Sequence, residues 1–446
     1  MASAAEQLAS SINFSAFAKA TDLKNRIWFT LGALVIYRLG TYIPLPGIDP
    51  NVLQEVFSRN SGGILGMVDM FSGGALGRMT IFALNIMPYI SSSIIVQLLT
   101  AVSPQLEALK KEGETGRKKL NQYTRYGTVL LAAVQAYGLA VGIEGMRGTN
   151  GLAVTDPGLF FRLTAVITMT GGTIFLMWLG EQITARGVGN GISLIIFSGI
   201  VARMPPALAQ LLELSRSGNL SPVFLILFVV GAIAVITFIV FMERAQRRIL
   251  VQYPKRQVGN KMFGGEASHL PLKLNTSGVI PPIFASSLLL LPATLAGFTA
   301  GSSGVLADLA AWLGHGHPLY IALYVALIMF FCFFYTAIVF NPVETADNLK
   351  KYGGFVPGIR PGKNTADYLD HVLTRLTVVG ALYLSAVCVL PEWLVYSYSL
   401  PFYFGGTSLL IVVSVTMDTV AQIHSHLLAH QYEGLIKKSK LRGRRG

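Results

Sequence analysis

The sequence predicts an all-α membrane protein that crosses the bilayer many times. Charged residues make up 13% of its 446 residues, whereas a soluble domain carries about 25%. Hydrophobic residues account for 52%, and the mean hydropathy is +0.55. Several apolar runs reach the roughly 18 residues that a membrane-spanning helix needs. Three of these runs, 79–102, 222–242 and 318–340, contain no charged side chain.

Ten apolar segments are candidate spans, and an even number places both termini on one side of the membrane. Of the 35 Lys and Arg residues, 28 lie in the termini and connections on that side, and segment 298–317 contains none. Basic residues concentrate on the cytoplasmic side, so we expect both termini to be cytoplasmic. The spans run approximately over residues 26–44, 76–101, 123–143, 159–180, 189–212, 221–242, 275–298, 318–341, 373–393 and 401–422.

The formal net charge of +13 is concentrated on that side. Topology control and attraction to anionic lipid explain the short basic connections, at about 1 kcal/mol per residue near the surface. Two longer polar segments, 102–122 and 243–274, exceed what insertion requires. They also fit a docking surface for an acidic or RNA-containing partner, and both interpretations stay open.

Residues 62–99 carry the most informative pattern. About ten half-apolar residues, too few to cross a membrane, precede a glycine break and Arg78. A span of full length follows, with Pro88 in its middle. Irregular backbone cannot face lipid, because its N–H and C=O groups would go unpaired. The pattern therefore predicts a protein that encloses a path through the membrane.

Polar residues inside the spans are mostly neutral, which bears on the class of transport. Ion-coupled transporters usually keep ionisable groups at mid-membrane, whereas Glu181 and Asp418 lie near span ends here. The cluster Ser91–Ser93 either packs helices together or lines a wet path. Spans 2 and 7 are the most deformable, because prolines disturb them. These prolines are Pro88, Pro281, Pro282 and Pro292.

No catalytic pattern emerges, so we expect no enzyme and no cofactor. The sequence has no P-loop, no HExxH and no Gly-x-Ser-x-Gly. Residues 187–191, Gly-Val-Gly-Asn-Gly, lack a preceding strand and predict a tight turn before span 5. We expect His424, His426 and His430 to be interfacial and not metal ligands. Cys332 and Cys388 lie in apolar spans and are expected to be small buried hydrophobes.

Seven long segments carry a family resemblance over essentially the whole chain. The chain resembles the SecY family, the channel-forming subunits of the bacterial Sec protein translocase. The segments are YRLGTYIPLPGID (37–49), FSGGALGRMTIFALNIMPYISSSIIVQLL (71–99), KKEGETGRKKLNQYTRYGT (110–128), FLMWLGEQITARGVGNGIS (175–193), HLPLKLNTSGVIPPIFASS (269–287), FCFFYTAIVFNPVETADNLKKYGGFVPGIRPG (331–362) and PFYFGGTSLLIVV (401–413).

The resemblance implies ten transmembrane helices in two inverted five-helix halves, residues 1–215 and 216–446. A lateral gate would open between the halves toward lipid, chiefly at spans 2 and 7 with 3 and 8. A short re-entrant plug helix maps onto about residues 62–71. The C-terminal half carries long loops at 243–274 and 341–372 and a basic tail.

The resemblance also implies roles for individual residues. An aliphatic pore ring would seal around a threaded chain, a polar cluster would line the gate, and basic loops would dock partners. The ring maps onto Ile86, Ile90, Ile192, Ile196, Ile283 and Ile411, and the polar cluster onto Ser91, Gln135 and Asn275. Docking maps onto Arg360, Lys255 and Arg256.

The implied function is a passive protein-conducting channel of the bacterial inner membrane. It would export unfolded chains and release hydrophobic segments sideways into lipid. Implied partners are SecE- and SecG-type membrane subunits, the SecA motor ATPase, the ribosome, signal peptides, preproteins and membrane lipid. The alternative is a secondary transporter for a small solute, and the absence of mid-membrane acids argues against it. A membrane-embedded enzyme would need a catalytic constellation that the sequence lacks.

Overall fold

The computed structural model describes most of the chain as helices joined by short connections. The described residues are 20–49, 52–53, 69, 72–144, 147–148, 151–218, 221–253, 256–258, 261–263, 267–297, 318–398 and 406–442. The helices are α1 (Thr21–Gly40), α2 (Met87–Val102), α3 (Pro104–Lys111), α4 (Glu114–Glu144), α5 (Leu159–Arg186), α6 (Gly191–Arg216), α7 (Pro222–Arg244), α8 (Ile280–Gly297), α9 (Pro318–Val339), α10 (Pro342–Lys351), α11 (Lys363–Tyr398) and α12 (Gly406–Arg442). The strands are β1 (Arg147–Gly148), β2 (Gly151–Leu152), β3 (Gln246–Gln252), β4 (Arg256–Val258), β5 (Lys261–Phe263) and β6 (Ala267–Lys273).

Within the described residues, 7 helical segments are long and apolar enough to cross a membrane. They fall in α4, α5, α6, α7, α9 with α10, α11 and α12. Two shorter apolar helical stretches lie in α2 and α8. The predicted all-α, multi-pass class is confirmed, and the count of ten spans stays a prediction.

The chain divides into two compact units, residues Met1–Leu208 with Val415–Gly446 and residues Ala209–Ser414. In the first unit, α4 packs between α2 and α5. The face of α4 toward this core is lined by Ala132, Ala136 and Ala140, which are fully buried. Small residues at this spacing let helix backbones approach closely.

In the second unit, α9 packs against α8 and α11. The long connection between α7 and α8 forms two antiparallel hairpins, β3 with β6 and β4 with β5. Alternate residues of β3 turn inward, so Ile249 and Val251 are buried while their neighbours are exposed. The sequence also predicts that residues 1–215 and 216–446 are two halves related as inverted repeats. This relation remains a prediction.

Span 2 differs from its predicted form. Residues 72–86 run through successive turns, and the helix begins only at Met87, with Pro88 in its first turn. The predicted span over 76–101, with Pro88 in its middle, is therefore helical only from Met87 onward. Proline lacks the N–H that helix interiors require, whereas the first turn has no acceptor for it. Asn85, with φ 50°, and Met79, with φ 42°, adopt left-handed backbone that breaks the helix before Met87.

Two of the three prolines predicted to disturb span 7 have the same explanation, whereas Pro292 lies inside the helix. Pro281 and Pro282 lie in the first turn of α8, which begins at Ile280. Both cysteines are buried, as predicted. The predicted plug, residues 62–71, lies outside the described residues apart from Asp69, and segment 298–317 lies outside them as well.

Candidate pore and gate

The turns before α2 are held by hydrogen bonds to the segment that follows α1. The Leu45 N–H donates to the Met79 carbonyl at 2.9 Å, and the Ile81 N–H donates to the Ile43 carbonyl at 3.1 Å. These bonds fix the irregular backbone inside the first unit, so it meets the requirement for internal pairing. Ile86 ends this segment and is the residue immediately before α2.

Phe82 fills the space between α1 and α5 at the same level. Its ring stacks on Tyr37 and Phe175, with centroid distances of 6.1 and 5.9 Å. Each of the two helices approaches residues 81–82 closely at a glycine. A Cβ on Gly40 would lie 2.0 Å from the Phe82 ring, and a Cβ on Gly172 would lie 2.0 Å from the Ile81 carbonyl oxygen. Glycine at both positions therefore leaves room for the turns at residues 72–86 between the two helices.

The second isoleucine pair stands at the start of α6. Asn190 caps this helix, since its side-chain oxygen accepts the Ile192 N–H at 3.1 Å. The preceding turn needs Gly189, whose φ is +90°, and its N–H donates to the Gln422 side chain at 2.9 Å. The predicted turn at residues 187–191 is confirmed, and it positions Ile192 and Ile196 one helical turn apart.

The remaining two isoleucines belong to the second unit. Ile283 lies in the first turn of α8, where the Ser286 hydroxyl donates to its carbonyl at 2.9 Å. Ile411 lies in α12, which begins in close contact with α11. A Cβ on Gly406 would lie 1.8 Å from the Val387 carbonyl oxygen. Glycine at 406 therefore permits the approach that buries the first turns of α12.

Four of the six isoleucines are buried. The exposed fractions are 1% for Ile86, 6% for Ile90, 5% for Ile196 and 1% for Ile411, while Ile192 and Ile283 are half-buried. Burial excludes a lipid-facing position for the first four. The structure thus distributes these residues over two elements in each unit, and their assembly into one ring remains a prediction.

The predicted gate cluster is divided between the units. Ser91 on α2 and Gln135 on α4 are buried on two helices that pack together. Their neighbour Ser92 bridges the same two helices, because its hydroxyl donates to the Thr124 carbonyl of α4 at 2.7 Å. This serine packs helices, as polar groups often do inside membranes.

Asn275, in the second unit, has a hydrogen-bond network of its own. Its amide nitrogen donates to the Glu243 carboxylate at 2.7 Å and to the Gly278 carbonyl at 3.0 Å. Its oxygen accepts from the Ser277 hydroxyl at 3.0 Å. Asn275 therefore links the end of α7 to the residues that lead into α8. Sequence reasoning missed Glu243, and an acidic residue at the end of an otherwise uncharged span was the available signal.

The predicted docking loops pack together in the second unit. Gln252 of β3 and Phe355 exchange two backbone hydrogen bonds, at 2.9 and 3.0 Å. Beneath them lies an apolar cluster of Ile249, Leu272, Val356, Leu369, Val372 and Leu376. Rigid support of this kind suits a surface that must bind a large partner.

Arg360 projects from this support. Its side chain is exposed, and its carbonyl accepts the Thr365 hydroxyl at 2.9 Å, which fixes the loop. Lys255 lies outside the described residues, and Arg256 begins β4 with a side chain that the structure does not describe. The structure therefore exposes Arg360 on one of the predicted docking loops, and the docking role of all three residues stays a prediction.

Comparison with known proteins gives the same family that the sequence segments resemble. A family model described as SecY matches residues 80–420. The protein translocase subunit SecY of Rickettsia conorii is 59% identical over 421 residues, which are 94% of this chain and 97% of the relative. The subunit of the same name from Escherichia coli K12 is 55% identical over 424 residues, covering 95% and 96%.

Two solved structures show the same fold. A structure of a protein-conducting channel matches with a TM-score of 0.63 at 17% sequence identity, covering 92% of this chain and 93% of that one. Sec61 in a canine ribosome–channel complex from the endoplasmic reticulum matches with a TM-score of 0.61 at 17% identity, with the same coverage. At these identities the likeness concerns the fold.

Proposed function

The chain belongs to the SecY family, and from that premise we propose that it is a protein-conducting channel. It exports unfolded polypeptides across the membrane and lets hydrophobic segments pass sideways into lipid. The observation that carries this function is the 59% identity to a translocase subunit over 97% of that relative's length. The broken backbone before α2 agrees with it, because such backbone is tolerated inside protein or against a water-filled cavity.

We propose that the six isoleucines form one constriction. Branched aliphatic side chains can close around an extended polypeptide, and they disfavour a continuous file of water and ions by dewetting. They also offer the moving backbone no hydrogen bond that would retain it. Burial of Ile86, Ile90, Ile196 and Ile411 supports this role.

We further propose the two inverted halves and a lateral gate at spans 2 and 7. Within that gate, Asn275 keeps its place because Glu243 and Gly278 hold both of its amide hydrogens. Ser91 and Gln135 would face it from the other half. A signal sequence entering between the halves would part these polar groups at modest cost, since membrane hydrogen bonds are worth about 0.6–2 kcal/mol each.

The proposed partners follow from the resemblance and from the docking surface. A ribosome is bound to the related channel in the canine complex, and Arg360 is exposed on a supported loop here. SecA, SecE and SecG are proposed from family membership, with energy supplied by the motor or by translation. The proposed location is the bacterial inner membrane, with both termini in the cytoplasm.

Export by membrane vesicles tests the function directly. Inverted vesicles from cells depleted of their own channel subunit and supplied with this chain should protect a radiolabelled preprotein from protease when SecA and ATP are present. Proteoliposomes that contain the chain and accumulate a small solute without exporting preprotein would instead favour the transporter.

A charge reversal tests the docking surface. Arg360→Glu should cripple motor- or ribosome-driven export, while Arg360→Lys should retain most of it. Arg186→Glu is a matched control, because Arg186 is an exposed arginine on the same predicted side but in the other unit. Normal export by membrane-inserted Arg360→Glu would remove this residue from the docking role.

A further inference from the structure

Three basic residues converge near the end of α1 that the sequence predicts to be external. They are Arg38, Arg78 and Arg203, and all three lie outside the predicted cytoplasmic segments. Arg38 and Arg78 both donate to the Gly73 carbonyl, at 3.3 and 3.2 Å. A Cβ on Gly74 would lie 3.2 Å from the Arg203 Cζ and 3.2 Å from an Arg78 Nη, so these two guanidinium groups are close neighbours. Such a convergence runs against the usual charge bias of membrane proteins.

Two of the three guanidinium groups have no carboxylate partner among the described residues. Arg203 forms an ion pair with Asp69, whereas Arg38 and Arg78 meet only neutral oxygen acceptors there. The Nε of Arg78 is buried and finds no hydrogen-bond acceptor within the part of the chain that the structure describes. Both residues are half-buried, where an uncompensated charge is costly. The pair therefore favours a negatively charged ligand.

Arg38 belongs to a stripe of α1 that faces away from the protein core. Leu31, Val35 and Arg38 follow one another at intervals of four and three residues, so they share one helical face. Leu31 and Val35 are 48% and 58% exposed, and Tyr42 and Ile43 just beyond the helix are 60% and 51% exposed. Tyrosine collects at the level of the lipid headgroups. A charged residue on such a stripe is rare and needs a partner.

Tyr42 holds both guanidinium groups at that edge of the protein. The Arg78 Cζ lies 4.1 Å from the centroid of the Tyr42 ring, and the Arg38 Cζ lies 5.5 Å from it. Stacking on an aromatic face fixes the plane in which a guanidinium presents its donors. Two groups held in this way can donate several hydrogen bonds to one phosphate, the anion that arginine binds in bidentate fashion. A phosphate that reaches this end of a membrane helix from the lipid side is that of a phospholipid headgroup.

We propose that Arg38, Arg78 and Tyr42 form a binding site for the headgroup of an anionic phospholipid in the leaflet predicted to be external. The lipid phosphate accepts hydrogen bonds from both guanidinium groups, and an acyl chain lies along Leu31 and Val35. An anionic lipid is preferred to a zwitterionic one, because the latter carries a cation of its own into a site that is already positive. The site lies apart from the proposed pore ring, gate cluster and docking residues, so it is independent of the proposed export.

Quenching by brominated lipid tests the site in the full chain. Leu39→Trp places a reporter beside the stripe, since Leu39 is 65% exposed, and the 4 native tryptophans are replaced by phenylalanine. The protein, purified with any membrane subunits that accompany it, is placed in nanodiscs of unlabelled phosphatidylcholine. A small fraction of brominated phosphatidylglycerol or of brominated phosphatidylcholine is then included. The ratio of the two quenching constants measures the preference for the anionic lipid.

The parent should prefer brominated phosphatidylglycerol by about five- to thirty-fold, the ratio expected for two arginines near a lipid surface. Arg38→Gln and Arg78→Gln should each lower this preference by about fivefold. Arg38→Lys keeps the charge but loses the planar fork of donors, so it should lower the preference less. Arg216→Gln is the matched control, because it removes an exposed arginine from the same predicted side, and it should match the parent.

Equal quenching of the parent by the two lipids would overturn the proposal. So would an unchanged preference in both Arg38→Gln and Arg78→Gln, and if one of these variants does not fold, the other decides. A reporter that neither lipid quenches would show that another membrane subunit covers the stripe, which also refutes the lipid site. Displacement of the anionic lipid by inorganic phosphate would assign the site to a soluble anion instead. Export is measured separately, so none of these results would bear on the proposed function.

Discussion

A single added methyl group at Gly172 tests how the turns at residues 72–86 are held against α5. The Cβ of an alanine there would lie 2.0 Å from the Ile81 carbonyl oxygen and 3.2 Å from the Phe82 ring. Ordinary contacts begin near 3.4 Å, so the backbone at Ile81 or α5 must move by about 1 Å or more, a typical case of overpacking. Ile81 is bonded to Ile43 and lies five residues before Ile86, so the displacement reaches the predicted ring.

The neighbouring Gly171 supplies the control, since nothing lies within 4 Å of an added Cβ there. Both substitutions gain the helix propensity of alanine over glycine, about 1 kcal/mol, and this gain cancels in the comparison. Overpacking costs about 1–3 kcal/mol. We therefore expect Gly172→Ala to be less stable than Gly171→Ala by about that amount.

The assay is unfolding of the purified protein in micelles by titration with a denaturing detergent, read by tryptophan fluorescence. The same two variants should also differ in the ion leak through the resting channel, and Gly172→Ala should leak more. Equal stability and equal leak for the two variants would refute the close approach of α5 to the Ile81 carbonyl.

Three further predictions use the same unfolding titration. Asn275→Ala should lower the free energy of unfolding by about 1–3 kcal/mol, because it leaves the Glu243 carboxylate without this donor, and a neutral result would contradict the network. Asn85→Gly should leave the free energy of unfolding nearly unchanged, whereas Asn85→Val should lower it by about 1–2 kcal/mol, because valine disfavours a left-handed backbone. Equal stability of the two variants would contradict the left-handed geometry at this position. Ser92→Ala should cost about 0.6–1.7 kcal/mol by removing the bond to α4, while Ser93→Ala, whose bond stays within α2, should cost less.

The membrane class followed from length and hydropathy alone, because lipid permits few alternatives for long uncharged segments. The irregular backbone at residues 72–86 was also foreseeable, since glycine and proline have fixed backbone consequences. The exact start of α2 could not be predicted from the sequence. It depends on Asn85 adopting a left-handed conformation, which bonds to distant segments impose and local sequence does not.

Some residues of the candidate site could be located from the sequence, and others could not. The six isoleucines could be located only through the family resemblance, because a single buried isoleucine looks like any core residue. Glu243 beside Asn275 was missed, since 32 residues separate the two. Contacts between segments so far apart depend on how the helices pack, which hydropathy does not encode.

Crosslinking to a stalled chain tests the central claim most directly. Cysteines at Ile86 and Ile283, placed in vesicles that hold a preprotein arrested in transit, should both crosslink to that preprotein. Ile233 on α7 is 59% exposed within a candidate membrane span and serves as the lipid-facing control, so a cysteine there should react with a lipid-soluble probe only. If Ile86→Cys and Ile283→Cys also label lipid and never the arrested chain, the assignment of these residues to the pore is wrong.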